Sequence, residues 1–411
     1  MQLNQIKKHT ASKIALFCAT AILAVSCNKD LPEAIPIPAP DANPVATTIG
    51  AEINTNPDYS FYKAAATRVG ILPLLSDSSK VFTVFLPNNA AFIASGIPSV
   101  AAIGALPIAS VGGIVQYSFI PGQQYTAAQI PTAFPNVQLP TFLTIGLLPG
   151  TTVPIQMSVF PSKRGSSVWV NTMPVTAADM KFRNGTIHLV GGLVAPPSAV
   201  LKDVIATKPD LSYFRAAVVR ADSGQNLTTT ASLNYLLAYP VTNMTILAPN
   251  DDAFKALIFG SVYSYLVGVG TPPANAQAQA TALSATPDVF QNPALFGVLT
   301  AATVKGILAY HFLATNAGSG FQPNIRVFSN NFETTPSFYK TLVNSSVAVH
   351  PGIMAQATFT GPFVSTLKFT GMGTFPPGGA PFSGAAATAT SKDNLAVNGI
   401  FHIIDKVLLP Q

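Results

Sequence analysis

The sequence is poor in charged residues and in cysteine, and it has a single tryptophan. Charged side chains make up 9% of the 411 residues, whereas globular chains average about 25%. Hydrophobic residues make up 48%, which is too many for an intrinsically disordered chain. This composition favours a folded, exported protein whose polarity comes from uncharged side chains, and the length predicts two to three domains.

The positive charge does not indicate a nucleic-acid partner. The formal net charge is +6, but Lys7, Lys8 and Lys13 lie in an N-terminal segment that we expect to be removed, which leaves +3. No run of lysines or arginines follows that could form a polyanion-binding face. We therefore expect no nucleic acid among the partners.

The two cysteines, Cys18 and Cys27, both lie near the N-terminus. Residues 1–26 combine a basic start with the apolar run "IALFCATAILAVS". This pattern is typical of an export signal, and the run is too short to span a bilayer. The alternative is a buried N-terminal helix. The end of the run, "LAVSC", resembles the lipobox of bacterial lipoproteins, although Ala24 stands where leucine is commonest.

The lipobox resemblance implies cleavage before Cys27 and acylation of that residue. Several acyl chains, at about 0.8 kcal/mol per buried CH₂, would anchor the protein durably. We therefore expect a lipid-anchored protein of the outer membrane, exposed at the cell surface, with the periplasmic face as the alternative. With Cys27 acylated, the mature chain has no thiol for a disulfide or for catalysis. Residues 27–50 hold five prolines and are predicted to form an extended tether.

The rest of the sequence contains one unit twice. Four blocks recur in the same order: "NPDYSFYKAAATR" as "KPDLSYFRAAVVR", "TVFLPNNAAF" as "TILAPNDDAF", "GGIVQYSFIPG" as "KGILAYHFLAT", and "NGTIHLVGGLVAPP" as "NGIFHIIDKVLLP". The offset between partners grows from 152 to 214 residues, so the second copy carries insertions. The longest lies within 267–293, where we expect a surface loop or short helices. We predict two copies of one domain, at 51–200 and 201–411.

The phrase "TILAPNDDAF" (245–254) predicts a buried strand end followed by a helix start. Asn250 is the expected N-cap, and Asn88 is its counterpart in the first copy. Asp251 and Asp252 follow the cap, where acidic residues favour the helix dipole. The first copy has asparagine and alanine at these two positions, which would remove a catalytic carboxylate pair. We therefore interpret both aspartates as structural.

The first block of each copy also predicts a helix. Apolar residues at 59, 62, 66 and 69 follow the spacing of one helix face. Asp58, or Asp210 in the second copy, is a plausible N-cap for this helix.

Together the four blocks resemble the fasciclin domain, over roughly 51–198 and 201–411. The resemblance implies an α+β fold, in which each of two tandem domains is a twisted β-sandwich or wedge flanked by short α-helices. It also implies adhesion or ligand binding rather than catalysis. Family members often carry a Tyr-His pair, which Tyr310 and His311 match and which Tyr117 and Ser118 do not. This region is linked to receptor binding in animal relatives, so Tyr310 and His311 are candidate partner contacts, with packing in the core as the alternative.

No metal-binding or catalytic motif occurs in the sequence. We predict no catalytic residue, no metal site and no cofactor. His188 and His402 occupy equivalent positions on apolar strands, where we expect hydrogen-bonded core residues. His350 is expected to be an exposed loop residue. Trp169 is expected in the core or between the domains, with an exposed sugar-binding site as the alternative.

These observations predict a lipid-anchored, non-enzymatic adhesion or binding protein that acts through protein or glycan contacts. The expected partners are the membrane, through the N-terminal anchor, and a glycan or matrix ligand. The alternative function is that of an accessory lipoprotein subunit of an outer-membrane nutrient importer, whose partner would be an outer-membrane β-barrel or another lipoprotein.

Overall fold

The structure is a computed structural model that describes residues 46–148, 150–317, 320–373, 382 and 384–411. These residues all belong to one compact unit. The predicted signal, Cys27 and the tether up to residue 45 lie outside the described residues, so the lipid anchor and the domain boundaries stay predictions. In the described ranges, no helix is both long and apolar enough to cross a membrane.

The first copy begins with short helices and ends in strands. Its helices are α1 (Ile49–Thr55), α2 (Ser60–Arg68), α3 (Leu72–Ser76), α4 (Asn89–Ala94), α5 (Val100–Ala105) and α6 (Ile108–Tyr117). Its strands are β1 (Phe82–Pro87), β2 (Phe119–Pro121), β3 (Leu139–Leu147), β4 (Pro154–Val159), β5 (Pro161–Arg164), β6 (Ser167–Val170), β7 (Met173–Phe182) and β8 (Gly185–Val190).

The second copy repeats this order with longer helices in its middle. Its helices are α7 (Leu201–Ala206), α8 (Ser212–Ala221), α9 (Leu233–Ala238), α10 (Asp251–Gly268), α11 (Pro273–Ser284) and α12 (Ala301–Tyr310). Its strands are β9 (Met244–Pro249), β10 (Leu313–Ala317), β11 (Gly320–Gln322), β12 (Ser337–Thr341), β13 (Ile353–Thr360), β14 (Phe363–Thr370), β15 (Ala387–Ala396) and β16 (Gly399–Ile404).

Each copy is built around one curled sheet. The strand order is β2-β1-β8-β7-β6-β5 in the first copy, where β3 and β4 form a separate ribbon. In the second copy the order is β11-β10-β12-β13-β14-β15-β16-β9. A bridge between Ile246 and Phe312 brings the β9 edge beside the start of β10, so this sheet curls back on itself. The predicted α+β class is confirmed.

A parallel strand pair in each sheet joins two of the repeated blocks. β1 pairs with β8 in parallel, with Phe82 opposite Gly185. β9 pairs with β16 in the same way, with Met244 opposite Gly399. The two strands of each pair are separated by about a hundred residues or more, and each pair joins the second repeated block of its copy to the fourth.

The Asn-Gly dipeptide that opens β8 and β16 fastens helices to the sheet. Asn184 is buried; its Oδ1 accepts the N–H of Ile49, which begins α1, at 2.8 Å, and its Nδ2 donates to the carbonyl of Leu75 at 2.8 Å. Asn398 accepts the N–H of Leu201 at 2.7 Å and donates to Leu237 at 3.0 Å, in the corresponding helices. In each copy, one asparagine side chain therefore bonds to a backbone N–H at the start of one helix and to a backbone carbonyl near the end of another.

The glycine that follows the asparagine leaves room for the parallel neighbour. A Cβ atom on Gly185 would collide with the carbonyl oxygen of Phe82, and one on Gly399 would collide with that of Met244. Gly185 also has a φ of +141°, which disfavours any other residue. The close approach of the two parallel strands thus requires glycine at this position.

The helix start predicted after β1 and β9 is confirmed. The side chain of Asn88 accepts the N–H of Ala91 at 2.9 Å, and Asn250 accepts that of Ala253 at 2.9 Å. The predicted insertion at 267–293 is helical, because α10 runs on to Gly268 and α11 packs against it.

The N-cap prediction for the first block is wrong. Asp58 lies within a 3₁₀ turn, Pro57–Tyr59, and Asp210 lies within the corresponding turn of the second copy, so neither caps the helix that follows. One first-turn N–H group in each of α2 and α8 is satisfied from another helix instead. Asn89 accepts the N–H of Phe61 at 3.0 Å, and Asp251 accepts the N–H of Tyr213 at 2.9 Å.

Replacing Asn250 with Ala is expected to lower the free energy of unfolding by about 1 kcal/mol, because the N–H of Ala253 loses its cap. Denaturant unfolding followed by circular dichroism measures this change. The matched control is Asn275→Ala, at an exposed position in α11, where the same substitution removes no cap. Equal stability of the two variants would contradict the capping role.

Candidate functional site

The two histidines on the central strands are structural, as predicted. His188 and His402 are completely buried. The Nδ1 atom of His188 accepts the N–H of Asp179 at 3.2 Å, so its Nε2 carries the proton and donates to the carbonyl of Tyr125 at 2.8 Å. Burial lowers the pKa of both imidazoles, which keeps them neutral.

His402 repeats this arrangement in the second copy. Its Nδ1 accepts the N–H of Asp393 at 3.3 Å, and its Nε2 donates to the carbonyl of Val327 at 3.0 Å. Asp179 and Asp393 both have a left-handed backbone, with φ of 60° and 58°, which is uncommon for a residue other than glycine. Each lies at a register shift in its strand pair, so the imidazole holds a β-bulge in place.

Tyr310 and His311 lie in the core, which is a correction to their prediction as partner contacts. Both side chains are completely buried in this structure. The Tyr310 hydroxyl donates to the carbonyl of Gly352 at 2.5 Å and accepts the N–H of Met372 at 2.9 Å. His311 donates from Nδ1 to Ile307 at 2.8 Å and accepts the N–H of Leu408 at Nε2 at 2.9 Å. Their hydrogen bonds are therefore used within the protein.

His350 is also less exposed than predicted. It is half-buried, its Nδ1 accepts the N–H of Gly352 at 2.9 Å, and its Nε2 donates to the carbonyl of Pro410 at 2.9 Å. The ring stands edge-on to Tyr310, with centroids 5.3 Å apart. His350 and His311 together fasten the C-terminal segment to the second copy.

The aspartates that follow Asn250 have different surroundings. Asp251 accepts hydrogen bonds from Ser212 at 2.6 Å and from the N–H of Tyr213, which is the structural role predicted. Asp252 is exposed and pairs with Lys255 at 3.3 Å. In the described part of the chain, no group of three or more His, Cys, Asp or Glu residues is placed to hold a metal ion.

A contact surface between the two copies is built by a hairpin of the first and a loop of the second. Trp169, on β6, is 2% exposed and donates from Nε1 to the carbonyl of Pro362 at 2.8 Å. Asn330 donates to the carbonyl of Asn171 at 3.0 Å. The expectation that Trp169 lies in the core or between the domains is confirmed, because the side chain is buried and its partner belongs to the other copy.

Polar and apolar side chains complete this interface. Arg164 pairs with Glu333 at 2.8 Å and donates to the carbonyl of Phe332 at 2.6 Å. Phe160 and Phe328 pack with their ring centroids 5.9 Å apart. A buried interface that combines aromatic packing with directed hydrogen bonds holds the two copies in one relative orientation.

Arg326 is the unusual residue of the interface. It is 5% exposed, yet no carboxylate of the described residues lies within salt-bridge distance of it. Its Nε donates to Oδ1 of Asn243 at 2.8 Å, its Nη2 donates to the carbonyl of Val397 at 3.0 Å, and its guanidinium carbon stands 4.8 Å from the ring centroid of Phe160. Burial lowers the pKa of Arg326 to about 10, so it is still charged at neutral pH.

Two cavities have Arg326 in their walls. One, of about 180 Å³, lies between the β3–β4 ribbon and residues 240–243. The other, of about 190 Å³, lies beside β10 and β11. Both are lined by Phe160, Asn243 and Arg326, so the arginine belongs to the wall of each. The arrangement can present positive charge to a ligand that enters from either side.

Sequence reasoning missed Arg326. The available signal is that it is the lone charged residue in the stretch 312–332. This signal is weak in a chain with few charges, and the residues that contact Arg326, Asn243 and Phe160, are remote from it in sequence. Their contact with Arg326 depends on how the two copies pack.

Acid is expected to destabilise the protein through His311. Burial lowers its folded-state pKa to about 4 from 6.5. Between these values the unfolded chain binds a proton that the folded chain does not, so stability falls as pH falls from about 6.5 to about 4. The loss from this residue is about 3 kcal/mol. His188 and His402 act in the same direction.

Denaturant unfolding at pH 7 and at pH 4.5 measures this dependence. A His311→Gln variant should lose part of it, whereas Asn250→Ala should lower stability equally at both pH values. An unchanged pH dependence in His311→Gln would contradict the assignment.

Opening the interface is expected to expose the single tryptophan. Arg164→Glu places a carboxylate against Glu333, so the copies should separate and acrylamide should quench Trp169 fluorescence several-fold more strongly than in the unaltered protein. Arg183→Glu is the matched control, since it makes the same charge change at an exposed residue of the first copy. Equal quenching in the two variants would show that the Arg164 contact does not hold the interface.

Part of the chain is similar to known proteins. The family model "Fasciclin domain" matches residues 57–196. A solved structure of a FAS1 domain pair, from the insect cell adhesion molecule Fasciclin I, is 14% identical over 85% of this chain and 96% of its own, with a TM-score of 0.33. No curated protein sequence matches. Residues 57–196 therefore match the fasciclin domain, and the second half of the chain repeats the architecture of this first copy.

Proposed function

We propose that this chain is a lipid-anchored, non-enzymatic adhesion or binding protein of the cell envelope, which acts through protein or glycan contacts. The observation that carries the proposal is the fasciclin domain at 57–196, whose architecture is repeated in the second half. Fasciclin domains are linked to adhesion and binding. Two such domains fixed in one orientation offer an extended contact surface.

The hydrogen bonds of the buried histidines support a binding role over a catalytic one. His188, His311 and His402 are buried, neutral and occupied by hydrogen bonds to the backbone at both ring nitrogens. A general base needs to reach a proton on the substrate. These three imidazoles are committed to positions inside the fold and do not offer that reach.

The membrane attachment supports the same role. The lipobox-like sequence before Cys27 supplies the anchor, and the proline-rich segment that follows supplies distance from the membrane. An anchored pair of binding domains suits contact with a surface or a matrix.

The proposal is tested by comparing the unaltered protein with Cys27→Ser in the native host. The unaltered protein should fractionate with membranes and should promote attachment of whole cells to immobilised glycans or matrix. Cys27→Ser should appear in the soluble fraction and should lose the attachment, because the domains are no longer held on the cell. Attachment that is equal in a deletion strain would overturn the adhesion role.

Native purification after mild detergent extraction separates this role from the importer alternative. A protein recovered without a stoichiometric partner supports the adhesion role. Stoichiometric recovery of an outer-membrane β-barrel would replace it with the accessory-subunit role.

A further inference from the structure

Arg326 has a hydrogen-bonding capacity that the protein does not use. Two of its three guanidinium nitrogens, Nε and Nη2, donate to Asn243 and Val397. Among the described residues, Nη1 has no hydrogen-bond partner. These two hydrogen bonds and the Phe160 ring fix the position of the guanidinium, so the arginine is preorganised at the wall of the cavities rather than free to move into solvent.

The charge of this arginine is also uncompensated. Buried charges in proteins are usually paired, because an unpaired one has lost its hydration without gaining a counter-charge. Neither cavity has an acidic residue among its described lining residues, and Arg326 is the one charged side chain in both linings. The site is therefore electrostatically complementary to an anion.

The lining of the cavity beside the β3–β4 ribbon specifies more than charge. Gln156 supplies an amide, which both donates and accepts hydrogen bonds, and the amides of Gln138 and Asn243 also line the cavity while bonding to Ser158 and Arg326. Phe160 and Met157 supply an apolar wall next to them. Amide groups beside an aromatic or aliphatic surface match a sugar ring, which has hydroxyl groups at its edge and C–H groups on its face.

The size and the opening of this cavity restrict the ligand further. Sites for drug-sized molecules measure roughly 300–1,000 Å³, whereas this cavity measures about 180 Å³. It therefore suits a ligand about the size of one monosaccharide. Val241 lines the cavity and is 41% exposed, so the cavity opens to solvent at residues that a longer chain could pass.

We propose that the cavity between the β3–β4 ribbon and residues 240–243 binds one carboxylate-bearing sugar, a uronic acid unit of an acidic glycan, with its carboxylate on Nη1 of Arg326. Arginine is suited to this role because its guanidinium keeps its charge and donates strong, charge-assisted hydrogen bonds to a carboxylate. The site lies between the two copies, so it exists only in the paired protein. It deepens the proposed function, since it assigns a glycan class to the contacts named there.

The test uses full-length protein in a polyoxyethylene detergent and isothermal titration calorimetry with sodium glucuronate. Saturable binding is expected, at least tenfold tighter than for glucose, which has the same ring without the carboxylate. Sodium acetate tests the charge alone and should bind at least tenfold more weakly than glucuronate. Equal affinity for glucuronate and glucose, or no saturable binding of glucuronate, would overturn the proposal.

Three variants assign the binding to this cavity. Arg326→Gln should weaken glucuronate binding at least tenfold. Val241→Trp should do the same without touching the arginine, because the larger side chain starts from a partly exposed position and fills the opening. Asn324→Trp is the matched control, since Asn324 is exposed and lines the other cavity, and it should bind glucuronate normally.

The pattern among these variants decides the outcome. Loss of binding in Val241→Trp with retention in Asn324→Trp supports the site, even if Arg326→Gln proves to be unstable by circular dichroism. Retention in Val241→Trp, or loss in Asn324→Trp alone, overturns the assignment. Cell attachment is scored separately with the Val241→Trp protein. Attachment to matrix proteins that persists without glucuronate binding would leave the adhesion role standing and remove only the uronic acid site.

Discussion

Each copy of the domain depends on a buried polar residue that must find all of its hydrogen-bond partners. The imidazole of His188 or His402 is completely buried, and an unsatisfied ring nitrogen there would be costly. The cost is avoided because both ring nitrogens are hydrogen-bonded. Nδ1 accepts the N–H of a β-bulge residue, and Nε2 donates to a carbonyl in the loop after β2 or, in the second copy, after β11. The same logic applies to Asn184 and Asn398, which join helix ends to the first residue of a central strand. These four side chains explain why the last repeated block is so similar in the two halves.

The two copies differ at the residue that follows the last helix before the strands, and its hydrogen-bond partner differs with it. In the second copy His311 accepts a hydrogen bond from the C-terminal segment at Leu408. In the first copy Ser118 stands at this position, is too short for that reach, and instead contacts the hydroxyl of Tyr62 at 2.8 Å. The tyrosine before it keeps one role in both copies, because Tyr117 and Tyr310 each donate to a backbone carbonyl of a distant strand or loop.

How much of the fold and of the site could be predicted depended on whether the determining contact was local. The Asn88 and Asn250 caps were predictable because the acceptor and the donor are three residues apart. The burial of His188 and His402 was predictable from the apolar strands that carry them. The role of Asp58 was not predictable, since the N–H of Phe61 in the helix that follows is satisfied by Asn89, which lies 28 residues further along the chain.

The candidate site was the least predictable part. Arg326 forms a candidate site because it contacts Phe160 of the other copy and Asn243. No periodicity or motif in the sequence relates these three positions. The burial of Tyr310 and His311 was equally unpredictable from the sequence. The same apolar pattern at the end of a helix fits packing in the core and contact with a partner. Trp169 was better constrained, since a lone tryptophan on an apolar strand needs either a core or an interface.

The interface between the copies shares its segments with the interior of each fold. Ser329 occupies in the second copy the place that Ala127 occupies in the first, since each donates its N–H to the aspartate of the neighbouring bulge. The segments that follow these two residues meet each other, because Asn136 donates to Oδ1 of Asn331 at 2.7 Å. A substitution that loosens either bulge would therefore disturb the junction between the copies as well as the domain that holds the bulge.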